Sequence, residues 1–149
     1  IADAAAEVEC ICNAYNSLDI DCTVLLTHIG FEEDKLLAAQ LDSSLGIDII
    51  IGGHSHTYLE QPDEVNGILI AQAGTGTDQI GRFDIIVDTD NNCVSDYRWQ
   101  SIPIDVDHCP RDAALEGIIS YYKTQTDANF LAYGPVENQG GVGLVIYVR

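Results

Sequence analysis

Positive charge is scarce in this chain. Six Lys and Arg residues stand against 24 Asp and Glu over 149 residues, a formal net charge of −18. Lys35 and Lys123 are the only lysines, and no basic cluster occurs anywhere. A polyanion is bound by cations that release its counterions, so the deficit excludes a nucleic acid polymer or an anionic membrane surface as partner. A small anionic substrate needs a local positive centre, for which a bound metal is the natural candidate. Long apolar runs are missing too: none reaches the length of a membrane span, and the opening residues IADAAAEVEC lack the basic start and apolar centre of a signal peptide. Five cysteines, Cys10, Cys12, Cys22, Cys93 and Cys109, show no CxxC or zinc-type spacing, and their odd number leaves at least one free. Cys10 and Cys12 would point about 200° apart on a helix, so they neither pair nor share a metal easily. No proline- or glycine-rich tract and no solenoid repeat interrupts the chain, whose length suits a single folded domain.

The apolar pattern then sets the elements. Helical spacing predicts an amphipathic helix from Ile1 to about Tyr15, without an N-cap signal. CTVLLT, Cys22 to Thr27, reads as a strand buried on both faces, with Cys22 packed at its start. FEEDKLLAAQL follows as a helix whose Glu32, Glu33 and Asp34 favour the positive end of the macrodipole, and DSSLG closes it. IDIII, Ile47 to Ile51, is a second strand, and strand, helix, strand in this order makes the two strands parallel. Asn66-Gly67 between Val65 and Ile68 is a hairpin turn leading into ILIAQA; RFDIIVD and VSDYRWQ continue as an antiparallel run. A last helix covers about Asp112 to Gln125, with Leu115, Ile118, Ile119 and Tyr122 on its apolar side. The tail has loop chemistry through Pro135 and Gly140-Gly141, then a strand-like end without an evident partner.

Three of the four histidines fall at one place in this scheme. His28 ends the first strand, and GGHSHT puts His54 and His56 at the end of the second, both at the carboxyl edge where open α/β sheets place ligands. Imidazole is a common metal ligand, and residues i and i+2 of an extended segment point to the same side, so His54 and His56 can face one cavity. Gly52 and Gly53 let the backbone turn tightly there. Two solvated surface imidazoles are the competing reading of an HxH pattern.

LLTHIGFEEDKLLAAQL, GIDIIIGGHSHT and NGILIAQAGTGTDQIGRFDIIVD, in that order, resemble the later half of the catalytic domain in the 5′-nucleotidase branch of the calcineurin-like metallophosphoesterases. The resemblance runs from about Ile1 to Gln125. It implies an α/β fold that is part of a four-layer α/β/β/α sandwich with mixed sheets, with residues 1–126 as the C-terminal half of the catalytic domain and 127–149 as an unassigned tail. It implies a hydrolase of phosphoric monoesters, acting on a nucleotide or other small phosphate ester. Two divalent metal ions, zinc, manganese or similar, are implied as cofactors: His28 and His54 match ligands of one metal and His56 a ligand of the other. An extracellular or periplasmic setting is implied as well.

The family's earlier blocks, an Asp-x-His, a Gly-Asp whose carboxylate bridges the metals, and a Gly-Asn-His, occur nowhere in this chain. Without the bridging carboxylate, repulsion between two cations goes uncompensated. The chain is therefore expected to be a fragment with no catalytic residue of its own, as its start at Ile1 and uncapped first helix also suggest. The alternative is a non-catalytic acidic metal-binding or interaction module derived from the fold. Half a sandwich should leave an apolar sheet face bare, inviting the missing half-domain or a second copy.

Other candidates are weaker. His108, flanked by Asp105, Asp107 and Cys109, reads as a solvated loop histidine before a helix start. Gly74-Thr75-Gly76 reads as a turn in preference to a phosphate cradle, since no P-loop lysine follows, with Gln72 and Ala73 on the rim of the metal edge. Asp48 or Asp78 could orient a metal-bound imidazole.

Overall fold

A computed structural model describes residues 2–15, 17–130 and 144–148. Its centre is a four-stranded sheet of β1 (Val24–Leu26), β2 (Ile49–Ile51), β3 (Asp63–Val65) and β4 (Ile68–Ala71), in the order β1-β2-β4-β3. β1, β2 and β4 are parallel, in register through Val24, Ile49 and Leu69, and β3 is antiparallel to β4. The β3–β4 hairpin turns at Asn66 and Gly67, both with positive φ (55° and 77°), the pair a two-residue hairpin of this type requires.

IDIII shows why β2 is central. Its isoleucines alternate between two cores, and both faces of the sheet are covered. On one side Ile47 and Ile50 join Ile68 and Ile70 beneath Ala5 of α1 (Ala2–Tyr15) and Leu37, Ala38 and Leu41 at α2 (Phe31–Gln40). On the other, Ile49, Leu69 and Ala71 meet Phe83, Ile85 and Trp99 of a second sheet. That sheet consists of β5 (Gln79–Asp88), β6 (Cys93–Pro103) and β7 (Leu144–Val148), in the order β6-β5-β7. β5 and β6 are antiparallel, with a bulge between Ile86 and Val87, and β7 runs parallel to β5, which supplies the partner that the sequence pattern does not identify for the tail strand. The layers are thus helix, sheet, sheet, with each fully buried Ile or Phe contributing about 1.5–3 kcal/mol of burial. The loop chemistry expected at Pro135 and Gly140-Gly141 lies outside the described residues.

Several expectations change. β1 is an edge strand, so it is not buried on both faces: Val24 and Leu25 are half-buried and Leu26 is 80% exposed. Nor is a face of the four-stranded sheet bare. Exposed apolar side chains lie instead at Leu18, Ile20 and Leu26, and along α3 (Ala113–Phe130), where Leu115, Ile118, Ile119 and Tyr122 are all exposed. Asp48 lies at the entry to β2, the end away from the histidines. It accepts hydrogen bonds from the Thr23 amide (2.9 Å) and the Val94 amide (2.7 Å), joining the two sheets. Beside it, burial first, then the Asp48 charge and hydrogen bond, push the Cys22 thiol up to about 11.

Both ends of α2 are held by distant residues. Gly30 occupies the N-cap at φ 104° without a side-chain cap, and the Phe31 amide donates to Ser55 Oγ at 3.0 Å. At the far end, Asn66 Nδ2 donates to the carbonyls of Ala38 (3.2 Å) and Leu41 (2.8 Å), which a helix terminus leaves open.

Candidate metal centre

The parallel strands deliver three segments to one edge. The ladder continues a residue beyond each strand, with Thr27 N donating to Ile51 O and Gly52 N to Ala71 O, both at 2.9 Å. His28, Gly52-Gly53-His54 and Gln72 therefore leave the sheet side by side. The His28 and His54 rings meet edge to face, centroids 5.3 Å apart and planes at 75°. Gly53 makes room for this: a Cβ there would lie 2.8 Å from His28 Nδ1.

His54 and His56 both adopt left-handed backbone conformations, φ 73° and 56°. The segment is thus not extended, and the alternation argument that put both imidazoles on one side does not apply. Such conformations cost non-glycine residues about 1–3 kcal/mol each unless their surroundings fix them.

The surroundings here are specific. Gln72, expected at the rim, is 2% exposed, and neighbouring Ala73 is buried as well. The Gln72 Nε2 donates to Gly53 O at 3.1 Å, and its Oε1 accepts from Ser55 Oγ and Thr57 N, both at 3.1 Å. Behind it lies Asp34, fully buried instead of solvated in the first turn of α2, with Oδ2 at 3.5 Å from Gln72 Nε2 and Oδ1 without a hydrogen-bond partner. Burial pushes the Asp34 carboxyl above its ordinary value, opposed by the Thr27 hydroxyl and the Gln72 amide and reinforced by the Glu33 charge. Gly52 is required in this arrangement, since a Cβ would stand 2.1 Å from Asp34 Oδ2. Trp99 Nε1 donates to Leu59 O at 3.3 Å, pinning the downstream arm of the corner to the second sheet.

No family model matches. An apyrase of Aedes aegypti is 30% identical in an alignment of 112 positions that covers 60% of this chain and 19% of the apyrase. The trifunctional nucleotide phosphoesterase protein YfkN of Bacillus subtilis is 32% identical in an alignment of 108 positions that covers 70% of this chain and 7% of that protein. A 5′-nucleotidase of Mus musculus is 27% identical in an alignment of 130 positions that covers 74% of this chain and 22% of the relative. The chain belongs to the 5′-nucleotidase branch of the calcineurin-like metallophosphoesterases. It spans between 7% and 22% of the length of these relatives. Its fold is that of the sulfate thiohydrolase SoxB of Thermus thermophilus, solved in complex with glycerol, at a TM-score of 0.66 and 23% identity over 81% of this chain and 21% of that one.

The family generally uses divalent metals, and the donor set fits one in part. His28 and His54 offer two imidazoles from adjacent strands at van der Waals distance. Among the described residues, however, no group of three or more His, Cys, Asp or Glu side chains stands close enough to hold one ion, so His56 is not gathered into a cluster with the pair. Two ligands fall short of the four that zinc takes, and further donors are needed to close the shell.

Of the remaining candidates, Gly74 reaches this edge, its amide donating to Thr57 O at 3.0 Å. His108 is exposed and bonded through Nδ1 to Asp105 Oδ1 at 2.7 Å, a bond that holds the Asp105 carboxyl below its ordinary value. Asp78 is exposed in the turn after Gly74-Thr75-Gly76, whose positive φ values continue through Thr77 and mark it as a turn. Asp34 and Ser55 are what sequence reasoning missed, together with the burial of Gln72. A polar residue inside the apolar run ILIAQA is the one available signal.

Proposed function

We propose that this chain is the second half of a metal-dependent phosphoester hydrolase domain of 5′-nucleotidase type, residues 1–126, acting on a nucleotide or other small phosphate ester. In this reading His28 and His54 bind one divalent ion and His56 binds a second. The observation that carries it is the edge-to-face meeting of His28 and His54 at the carboxyl ends of β1 and β2. His28 and His54 present ring nitrogens from one sheet edge; Gly53 keeps the space beside His28 clear; Ser55 and Gln72 hold the turn that carries His54 and His56. Divalent cations bound there would polarise phosphoryl oxygens and activate water. The donors that complete both coordination shells come from segments carrying the family's earlier blocks. The missing half-domain, or a second copy, covers the exposed groups beside β1.

Calorimetric titration with zinc or cobalt tests the ligand roles. His28→Ala and His54→Ala should each weaken binding about tenfold or more, because a metal held by few ligands loses much with each. Unchanged binding in both variants would refute the assignment. The chain alone, with manganese, zinc or cobalt, should release phosphate from AMP no faster than a His54→Ala, His56→Ala control. Turnover above that control would show that the bridging carboxylate is dispensable. Metal binding without turnover, even with the earlier blocks supplied, would favour a non-catalytic acidic metal-binding module.

A further inference from the structure

We propose that Gln72 and Asp34 are positioning residues for the histidine corner: the Gln72 carboxamide holds Gly53 to Thr57 in the left-handed turn that aims His54, and Asp34 fixes which way that carboxamide faces. The inference rests on the reading of His54 as a metal ligand.

The hydrogen-bond pattern permits one amide orientation. The Gln72 NH₂ faces two acceptors, Gly53 O and Asp34 Oδ2, while its oxygen faces two donors, the Ser55 hydroxyl and the Thr57 amide. Reversed, the amide would set oxygen against carbonyl and carboxylate, and NH₂ against an N–H. One side chain thus bridges both sides of His54 and reaches the residue after His56. Ser55 carries the restraint further: its hydroxyl oxygen also accepts from the first amide of α2 and lies 2.9 Å from Thr57 Oγ1, tying the corner to the helix that begins two residues beyond Ile29. Asp34 is a poor space-filler. It is fully buried with one oxygen unmatched, a costly arrangement that an apolar residue would avoid. Its other oxygen occupies the space opened by Gly52, against the Gln72 amide. Their hydrogen bonds go to the residues around the histidines, so both act through the backbone on which His54 and His56 sit.

The test uses the whole chain, zinc as the probe, and amide exchange read by NMR without metal. A His54→Ala control establishes that zinc binding depends on the corner; if it does not, the ligand reading fails and the proposal with it. With that dependence in hand, Gln72→Met should weaken zinc binding about 10- to 100-fold, as loss of an outer-shell partner does. In the metal-free chain it should speed exchange at the Thr57 amide while Ile49, Ile50 and Ile51 stay as protected as in wild type. Asp34→Leu should follow Gln72→Met, and Asp34→Asn, which can turn its oxygen toward Gln72, should restore binding. Should Asp34→Leu fail to fold, the contrast between Gln72→Met and Asp34→Asn decides. Wild-type zinc affinity in Gln72→Met, or equal losses in Asp34→Asn and Gln72→Met, would overturn the proposal.

Discussion

Gly52→Ala adds one methyl group at the most crowded point behind the histidine corner. The new Cβ would lie 2.1 Å from Asp34 Oδ2 and 2.8 Å from Gln72 Nε2. A carbon–oxygen contact needs about 3.3 Å, so the carboxylate or the backbone must shift by roughly 1 Å. Asp34 is fully buried and has no solvent to move into. Overpacking of this kind costs about 1–3 kcal/mol, and each Gln72 hydrogen bond lost adds about 1 kcal/mol. A total near 3 kcal/mol, divided by a urea slope of about 2 kcal/mol/M, lowers the unfolding midpoint by about 1.5 M. Circular dichroism during urea titration measures it. Gly117→Ala is the matched control: nothing stands within 4 Å of its Cβ, and in the middle of α3 it should gain about 0.5–1 kcal/mol. A Gly52→Ala midpoint within about 0.5 M of wild type would refute the steric reasoning, since that is under the smallest overpacking cost.

Further consequences can be measured in the same way. Because burial raises the Asp34 pKa, the folded state binds that proton more tightly than the unfolded chain, so stability is lost as pH rises through the raised value. Asp34→Asn lacks this component: its stability relative to wild type should improve between pH 4 and pH 7, and a flat difference across that range would contradict the shift. Asp48→Ala strands the amides of Thr23 and Val94 and should cost about 3 kcal/mol or more in urea unfolding, with Asp48→Asn losing roughly half as much; a loss below about 1 kcal/mol for the alanine would show that the two sheets do not depend on this bridge. Cys22, with its thiol pushed up to about 11, should resist alkylation at pH 8 in the folded chain, and Asp48→Asn, which removes the carboxylate charge that helps raise it, should speed labelling. Equal rates at Cys22 in both proteins would refute that coupling.

Much of this fold is legible because its signals are local. Asn66-Gly67 dictates a hairpin turn whatever surrounds it, the alternation in RFDIIVD gives β5 its buried face, and IDIII reports a strand with a core on each side. The histidines are legible as neighbours because parallel strands must end at one edge. What escapes the sequence depends on distant partners. Leu26 belongs to the same apolar run as Val24 and Leu25, and only sheet order decides that it is exposed. The left-handed turn at His54 and His56 is unreadable from residue type, since neither is glycine; it follows from hydrogen bonds to a side chain 15 to 19 positions away. Asp34 reads as one more carboxylate in an acidic helix start, and only the packing of α2 beneath Gly52 distinguishes it from exposed Glu32 and Glu33.

Asn66 carries a consequence for how the chain measures its own lengths. The residue that reverses β3 into β4 also closes the carbonyls at the end of α2. The helix and the hairpin therefore share a ruler: adding or deleting a residue in α2 moves its last turn away from the amide that terminates it, even with β3 and β4 unchanged. Insertions between Phe31 and Val65 are then tolerated better at the exposed Ser43 and Ser44, ahead of the core-packed Leu45, than within α2.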